Sequence, residues 1–228
     1  MGILAVLAIP PGAIDHQRAR GEASDDAPGD RVGWRVLVEC KPLLGFAVAG
    51  LLFHFANGPL LPLVGQQLAL QYPDMASAMM SSCIVAAQLV MLPVALASGR
   101  GADRWGRKPV LLAAFAILPL RSFLYTLSHD AWWLVAVQLL DGVGAGILSV
   151  LLPLIVADLM RGTGRYNMAL GAVVTAHGIG AALGGFGAGV FVDRFGYEVT
   201  FVAAGIVALA ALGLLIVAVP ETRSAASN

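Results

Sequence analysis

Charge is what this sequence has little of. Only 12% of its 228 residues are Asp, Glu, Lys or Arg, about half the share of an ordinary soluble domain. Apolar residues make up 58% and the mean hydropathy is +0.81. No soluble fold of this size hides so much apolar surface, so the expected solvent is lipid. The formal net charge is zero, which removes the basic excess a nucleic-acid partner would need. Cysteine is scarce too. Cys40 and Cys83 match no metal-ligand or redox spacing, so neither a disulfide, a metal site nor a cofactor is expected. Cys83 falls inside an apolar run, where a thiol behaves as a small hydrophobe. No nucleophile–base pair, metal cluster or phosphate loop is present; no catalytic residue is expected and the chain does not read as an enzyme.

What is present is long apolar runs. Six of them cover 42–65, 75–98, 109–127, 131–157, 167–192 and 199–219. Each is long enough to cross a bilayer as a helix at ~1.5 Å per residue. A spanning strand needs only about 10 residues and alternates in polarity. A backbone in lipid must satisfy its own hydrogen bonds. The expected fold is therefore all-α and polytopic, with six transmembrane helices. The six-helix domain spans 42–223. Residues 1–14, apolar but interrupted by Pro10-Pro11, are too short to cross and read as the remnant of a preceding transmembrane helix. Residues 15–41 read as a polar cytoplasmic linker and 224–228 as a cytoplasmic tail.

Lys and Arg set the expected orientation. Twelve of the 14 fall on one side: Arg18, Arg20, Arg31, Arg35 and Lys41 before the first run, Arg100, Arg104, Arg107 and Lys108 after the second, Arg161 and Arg165 after the fourth, and Arg223 at the end. Only Arg194 falls opposite, and Arg121 lies inside a run. By the positive-inside rule both termini are cytoplasmic. Trp132 and Trp133 then open the fourth helix at the outer interface, as an aromatic belt requires.

The densest charge lies in Gly99-Arg-Gly-Ala-Asp-Arg-Trp-Gly-Arg-Lys108, ten residues with five charges between two apolar runs. A shift of 90 residues aligns Gly99 with Gly189, Asp103 with Asp193, Arg104 with Arg194, Trp105 with Phe195 and Gly106 with Gly196. The pattern follows the second helix and again the fifth, on opposite sides. Two groups of three helices in opposite orientation make an inverted 3+3 repeat.

Gly99-x-x-x-Asp103-Arg104-x-Gly106-Arg107-Lys108 resembles the signature loop of the major facilitator superfamily, and Pro220-Glu221-Thr222 resembles a common ending of its halves. The resemblance covers about 42–223. It implies the C-terminal six-helix half of a secondary transporter, an integral protein of a bacterial inner membrane. Such a protein moves a small-molecule substrate by alternating access, with coupling to protons, and drug or metabolite efflux is one form of this. The other half, or self-association, would complete the cavity. The alternative is a non-transporting membrane fragment or assembly partner.

The loop itself has two readings: a topogenic turn, or a gate that locks one conformation through the other half. Asp103 is expected just before the third helix, accepting its free N–H groups. Arg104, Arg107 and Lys108 are placed to reach lipid phosphates, and Gly99 and Gly106 to allow close approach and tight turning.

Inside the membrane, Asp141 is the lone acidic residue and Arg121 the lone basic one. Each lies three residues outward of its helix centre, ~4.5 Å from the midplane. A carboxylate at that depth is costly and is paired or functional. The readings are an Asp141–Arg121 ion pair, proton coupling by Asp141, or direct substrate contact. Gln138 and Asp141 occupy positions where the family's matching helix carries Arg and Gln, so that Arg's relay role does not transfer. His54, Asn57, Gln88, Thr175 and His177 are neutral polar groups near mid-depth. They are interhelical hydrogen bonders or, together, marks of helices one, two, four and five as the cavity wall. His54 is also a candidate titrating group. The glycines of the fifth helix, Gly178 to Gly189, serve close packing or a mobile helix; the resemblance to an antiporter motif lacks that motif's proline.

Overall fold

The computed structural model describes residues 38–222. The expected helix remnant at 1–14, nearly all of the linker and the tail at 224–228 lie outside the described residues. Among the described residues every regular element is helical.

The chain forms α1 (Lys41–Asn57), α2 (Leu60–Gln71), α3 (Ala76–Trp105), α4 (Arg107–Leu124), α5 (Ala131–Leu159) and α6 (Tyr166–Ala218), with a short 3-10 turn at Pro73–Met75. The first apolar run is thus two helices meeting at Gly58-Pro59. Pro59 has no N–H to continue the ladder, so the axis breaks there. α6 is the converse case. Its 53 residues are continuous except at Gly196, whose φ of 81° and ψ of 173° are non-helical. The break divides α6 into the two runs expected at 167–192 and 199–219.

Among the described residues, four segments are long and apolar enough to cross a membrane: Lys41–Gln71, Pro73–Trp105, Ala131–Leu159 and Tyr166–Ala218. α4 is short, 18 residues, and carries three cationic residues, Arg107, Lys108 and Arg121. At the head of α5, Asp130 caps the helix by accepting from the N–H groups of Trp132 and Trp133 at 2.9 and 3.0 Å. The Trp133 indole donates to Leu124 O at 2.8 Å, and Trp132 stays exposed.

The largest interhelix contacts join α1 to α6 and α3 to α5. Both depend on glycine pairs one turn apart. A Cβ at Gly180 or Gly184 would fall 2.2 and 2.0 Å from the carbonyl oxygens of Leu51 and Phe55. A Cβ at Gly142 or Gly146 would fall 2.1 and 2.7 Å from those of Ala87 and Met91. These backbones touch because nothing stands between them, as in small-xxx-small packing. In the repeat the first span corresponds to the fourth and the second to the fifth, so the two contacts are images of one another.

Candidate functional site

The residues of the Gly99–Lys108 segment do not form a loop. α3 stays helical through Trp105 and α4 begins at Arg107, so the turn is the single residue Gly106. Its φ of 100° and ψ of 164° are open to glycine alone among ordinary residues. Gly99 requires no such freedom: it lies within α3, and a Cβ there would meet nothing within 4 Å. The expectation of a tight approach at Gly99 is corrected accordingly.

Asp103 also differs from expectation. It sits on the last turn of α3 and pairs with Arg107 four residues on, Nη1 to Oδ1 2.8 Å. The acceptor at the N-terminus of α4 is Glu221, which takes the N–H of Arg107 at 2.8 Å and that of Lys108 at 3.0 Å. A helix N-terminus favours a carboxylate whichever part of the chain supplies it. Glu221 reaches it because Pro220 ends the last helix beside α4. The Pro-Glu-Thr ending was the available signal. Arg107 Nε also donates to Asp158 Oδ2 at 3.3 Å, and Arg161 pairs with Asp158 Oδ1 at 2.9 Å. Desolvation opposes the charge on Arg107, but the bonds to Asp103 and Asp158 outweigh it and hold its pKa above the usual guanidinium value. Lys108 Nζ donates to Ile216 O at 2.8 Å. Arg104 is exposed.

A second cluster lies between the helices. Arg121 and Asp141 form an ion pair, and Arg121 Nη2 donates to Asn57 Oδ1. Gln138 Nε2 donates to Asp141 Oδ2 at 3.1 Å, while the Tyr125 hydroxyl donates to Gln138 Oε1. Tyr125 was not anticipated. It lies one turn beyond Arg121, whose guanidinium carbon is 6.0 Å from the ring centroid, and the same ring packs on Phe201. α1, α4 and α5 are joined by this one chain of contacts. The pair is unequally covered: the Arg121 side chain is 2% exposed and that of Asp141 26%.

His54 and His177 face each other across α1 and α6, with ring centroids 4.6 Å apart. His177 is held against bare backbone, since a Cβ at Gly50 would fall 1.9 Å from its Nε2. That nitrogen is buried without a hydrogen-bond partner, as is Nε of Arg121; Arg121 Nη1 is in direct contact with Asp141 Oδ1. His54, Asn57, Arg121, Asp141 and His177 all line one cavity of about 490 Å³, within the ~300–1,000 Å³ range of small-molecule sites.

The remaining lining is apolar apart from Ser149, and it comes from α1, α4, α5 and the first part of α6. The expected wall included the second helix; the structure places α4 there instead. Gln88 is exposed on α3 outside the cluster, and the exposed Thr175 hydroxyl returns to Gly171 O of its own helix at 2.8 Å. Among the described residues, no group of three His, Cys, Asp or Glu is placed to hold a metal ion.

This geometry can be set beside known proteins. Residues 42–228 match the Major Facilitator Superfamily. An uncharacterized MFS-type transporter of Mycobacterium tuberculosis (strain ATCC 25618 / H37Rv) is 52% identical over 226 residues, which is 97% of this chain and 54% of the relative. A vacuolar membrane amino acid uptake transporter of Schizosaccharomyces pombe is 30% identical over 105 residues, 45% of this chain and 18% of that relative. The crystal structure of a D-xylose–proton symporter superposes with a TM-score of 0.64 at 20% identity, over 83% of this chain and 49% of the symporter. The chain spans about half the length of the M. tuberculosis relative. With the family match running over nearly all the described residues, the chain belongs to the Major Facilitator Superfamily.

Proposed function

We propose that the full-length protein is a secondary transporter, and that this chain supplies one wall of its translocation path. Residues 42–223 form a six-crossing unit with both ends on the cytoplasmic side. A second half, or a second copy, covers the open side of the cavity. The solute is small and moves by alternating access, coupled to protons.

The observation that carries this reading is a charged pair, Arg121–Asp141, in the wall of a cavity between membrane-length helices. Charges at that depth are costly and mark substrate or ion pathways. The Gly106 turn, with Arg107 tied to Asp103 and Asp158, holds the cytoplasmic ends of three helices together and serves as the gate that must loosen for the path to open. The twelve-to-one division of Lys and Arg supports the orientation.

Reconstitution of the full-length protein into proteoliposomes, with a broad solute panel and an imposed proton gradient, tests this. Gradient-driven movement of at least one solute is expected, weakened by Arg121→Gln. An Asp141→Asn protein that still concentrates solute with the gradient would sink the coupling role. A panel in which nothing moves would sink the transporter.

A further inference from the structure

The cavity carries a balanced charge. Its wall holds one cation and one anion, Arg121 and Asp141, already in contact. The other polar lining groups are neutral ones, Asn57 and Ser149, and two imidazoles, His54 and His177. The valences left over are of two kinds. Arg121 keeps Nε without a hydrogen-bond acceptor despite being 2% exposed, while its Nη1 is held by Asp141 Oδ1. A buried guanidinium carries five donors in a fixed fork suited to a carboxylate. Asp141 is the accessible member of the pair. Its Oδ1 meets Arg121 and its Oδ2 accepts from Gln138, and a carboxylate has about four acceptor sites. Lone pairs therefore remain for a donor from the cavity.

We propose, resting on the transporter reading above, that the solute is a compact zwitterion bearing an anionic and a cationic group on neighbouring atoms, with an apolar body. Its carboxylate takes the guanidinium of Arg121 and its ammonium takes Asp141. One internal ion pair is exchanged for two between protein and solute, and the net charge of the wall stays at zero. A simple anion would displace Asp141 and leave that carboxylate without a partner. A simple cation would do the same to Arg121. Removing one partner from a buried pair is strongly unfavourable. The apolar body is accommodated by Phe53, Leu118, Leu148 and Leu152, which make up much of the remaining wall.

The test uses purified full-length protein in proteoliposomes and three forms of each apolar L-amino acid: the free acid, the methyl ester (cationic) and the N-acetyl derivative (anionic). At least one free amino acid is expected to move, with a preference of about tenfold or more over both of its derivatives. Asp141→Asn should narrow the gap to the N-acetyl form, and Arg121→Gln the gap to the methyl ester. The wild-type preference alone decides the class if a variant fails to fold. Equal or better movement of a singly charged derivative overturns the zwitterion. If a broad panel shows that only neutral or singly charged solutes move, the class is wrong and the transporter stands. If no solute moves, both fall.

Discussion

The two copies of the Asp-Arg-aromatic-Gly motif share a backbone and differ in everything attached to it. Gly106 and Gly196 both take positive φ, 100° and 81°, with ψ of 164° and 173°. Both end one helix and start the next with no residue to spare. Around the first copy, Asp103, Arg107, Asp158, Arg161 and Glu221 are linked within hydrogen-bond distance. Around the second, a Cβ on Gly196 would meet nothing within 4 Å, and Asp193 and Arg194 are exposed with no ion pair among the described residues. The repeat has kept the fold's requirement, a left-handed break between helices. Only the first copy has acquired a network of ion pairs; beside the second, the one such contact among the described residues is His129 with Glu198 at 3.4 Å. The backbone conformation is architecture, and the side-chain network is the part specific to one end of the molecule.

Seven variants would break or sharpen that contrast, each read as thermal unfolding of the purified protein in detergent. Gly106→Ala is expected to cost the most. The backbone penalty is about 1–3 kcal/mol, and the new Cβ would also lie 2.5 Å from a Glu221 carboxylate oxygen. Gly196→Ala carries the backbone penalty alone and should be the milder variant; equal losses would mean that Glu221 moves aside freely. Next is Gly184→Ala, at about 1–3 kcal/mol, because a methyl driven into the Phe55 carbonyl overpacks the α1–α6 contact. Its neighbour Gly185 has open space, so Gly185→Ala should be neutral or stabilising by up to about 1 kcal/mol. A loss there would show that the whole glycine run is packed. Glu221→Ala should then cost about 1 kcal/mol, the usual worth of a helix cap, and Glu221→Gln less, since the amide oxygen still accepts. The smallest effect is expected from Asp193→Asn, within about 0.5 kcal/mol, as for other exposed sites without partners. A larger loss would reveal a partner for the second copy.

Much of this was legible in the sequence, for identifiable reasons. Apolar runs of membrane length located the helices, because lipid leaves the backbone no alternative. The breaks were less visible. Residues 66–71 extend the first crossing as part of α2, but Gln66 and Gln67 end the apolar run, and Gln67 proves to be buried. The Gly99–Lys108 segment looked like a loop because its charges mimic one, yet charged side chains on a helix end reach water as readily. The ion pair between Arg121 and Asp141 could be anticipated from depth alone, since two lone charges at one level in lipid attract. The brace behind it could not: Tyr125, just past the end of α4, and Gln138 on α5 are 13 residues apart, and no periodicity brings them together. The assignment of the wall failed at α4 because an apolar helix can line a cavity without announcing it. The role of Glu221 was hidden for a related reason, as it caps a helix 114 residues before it.

That separation has a consequence in time. During synthesis the amides of Arg107 and Lys108 emerge long before the carboxylate that accepts from them. At roughly 5–20 residues per second, the wait is on the order of 6–20 s. Until then the first turn of α4 lacks its cap, and its Arg107 is tied by Asp103 and, once α5 has been made, by Asp158. The clasp between Glu221 and α4 closes only when α6 is in place, so the segment that follows α6 registers the docking of that helix at the junction of α3 and α4.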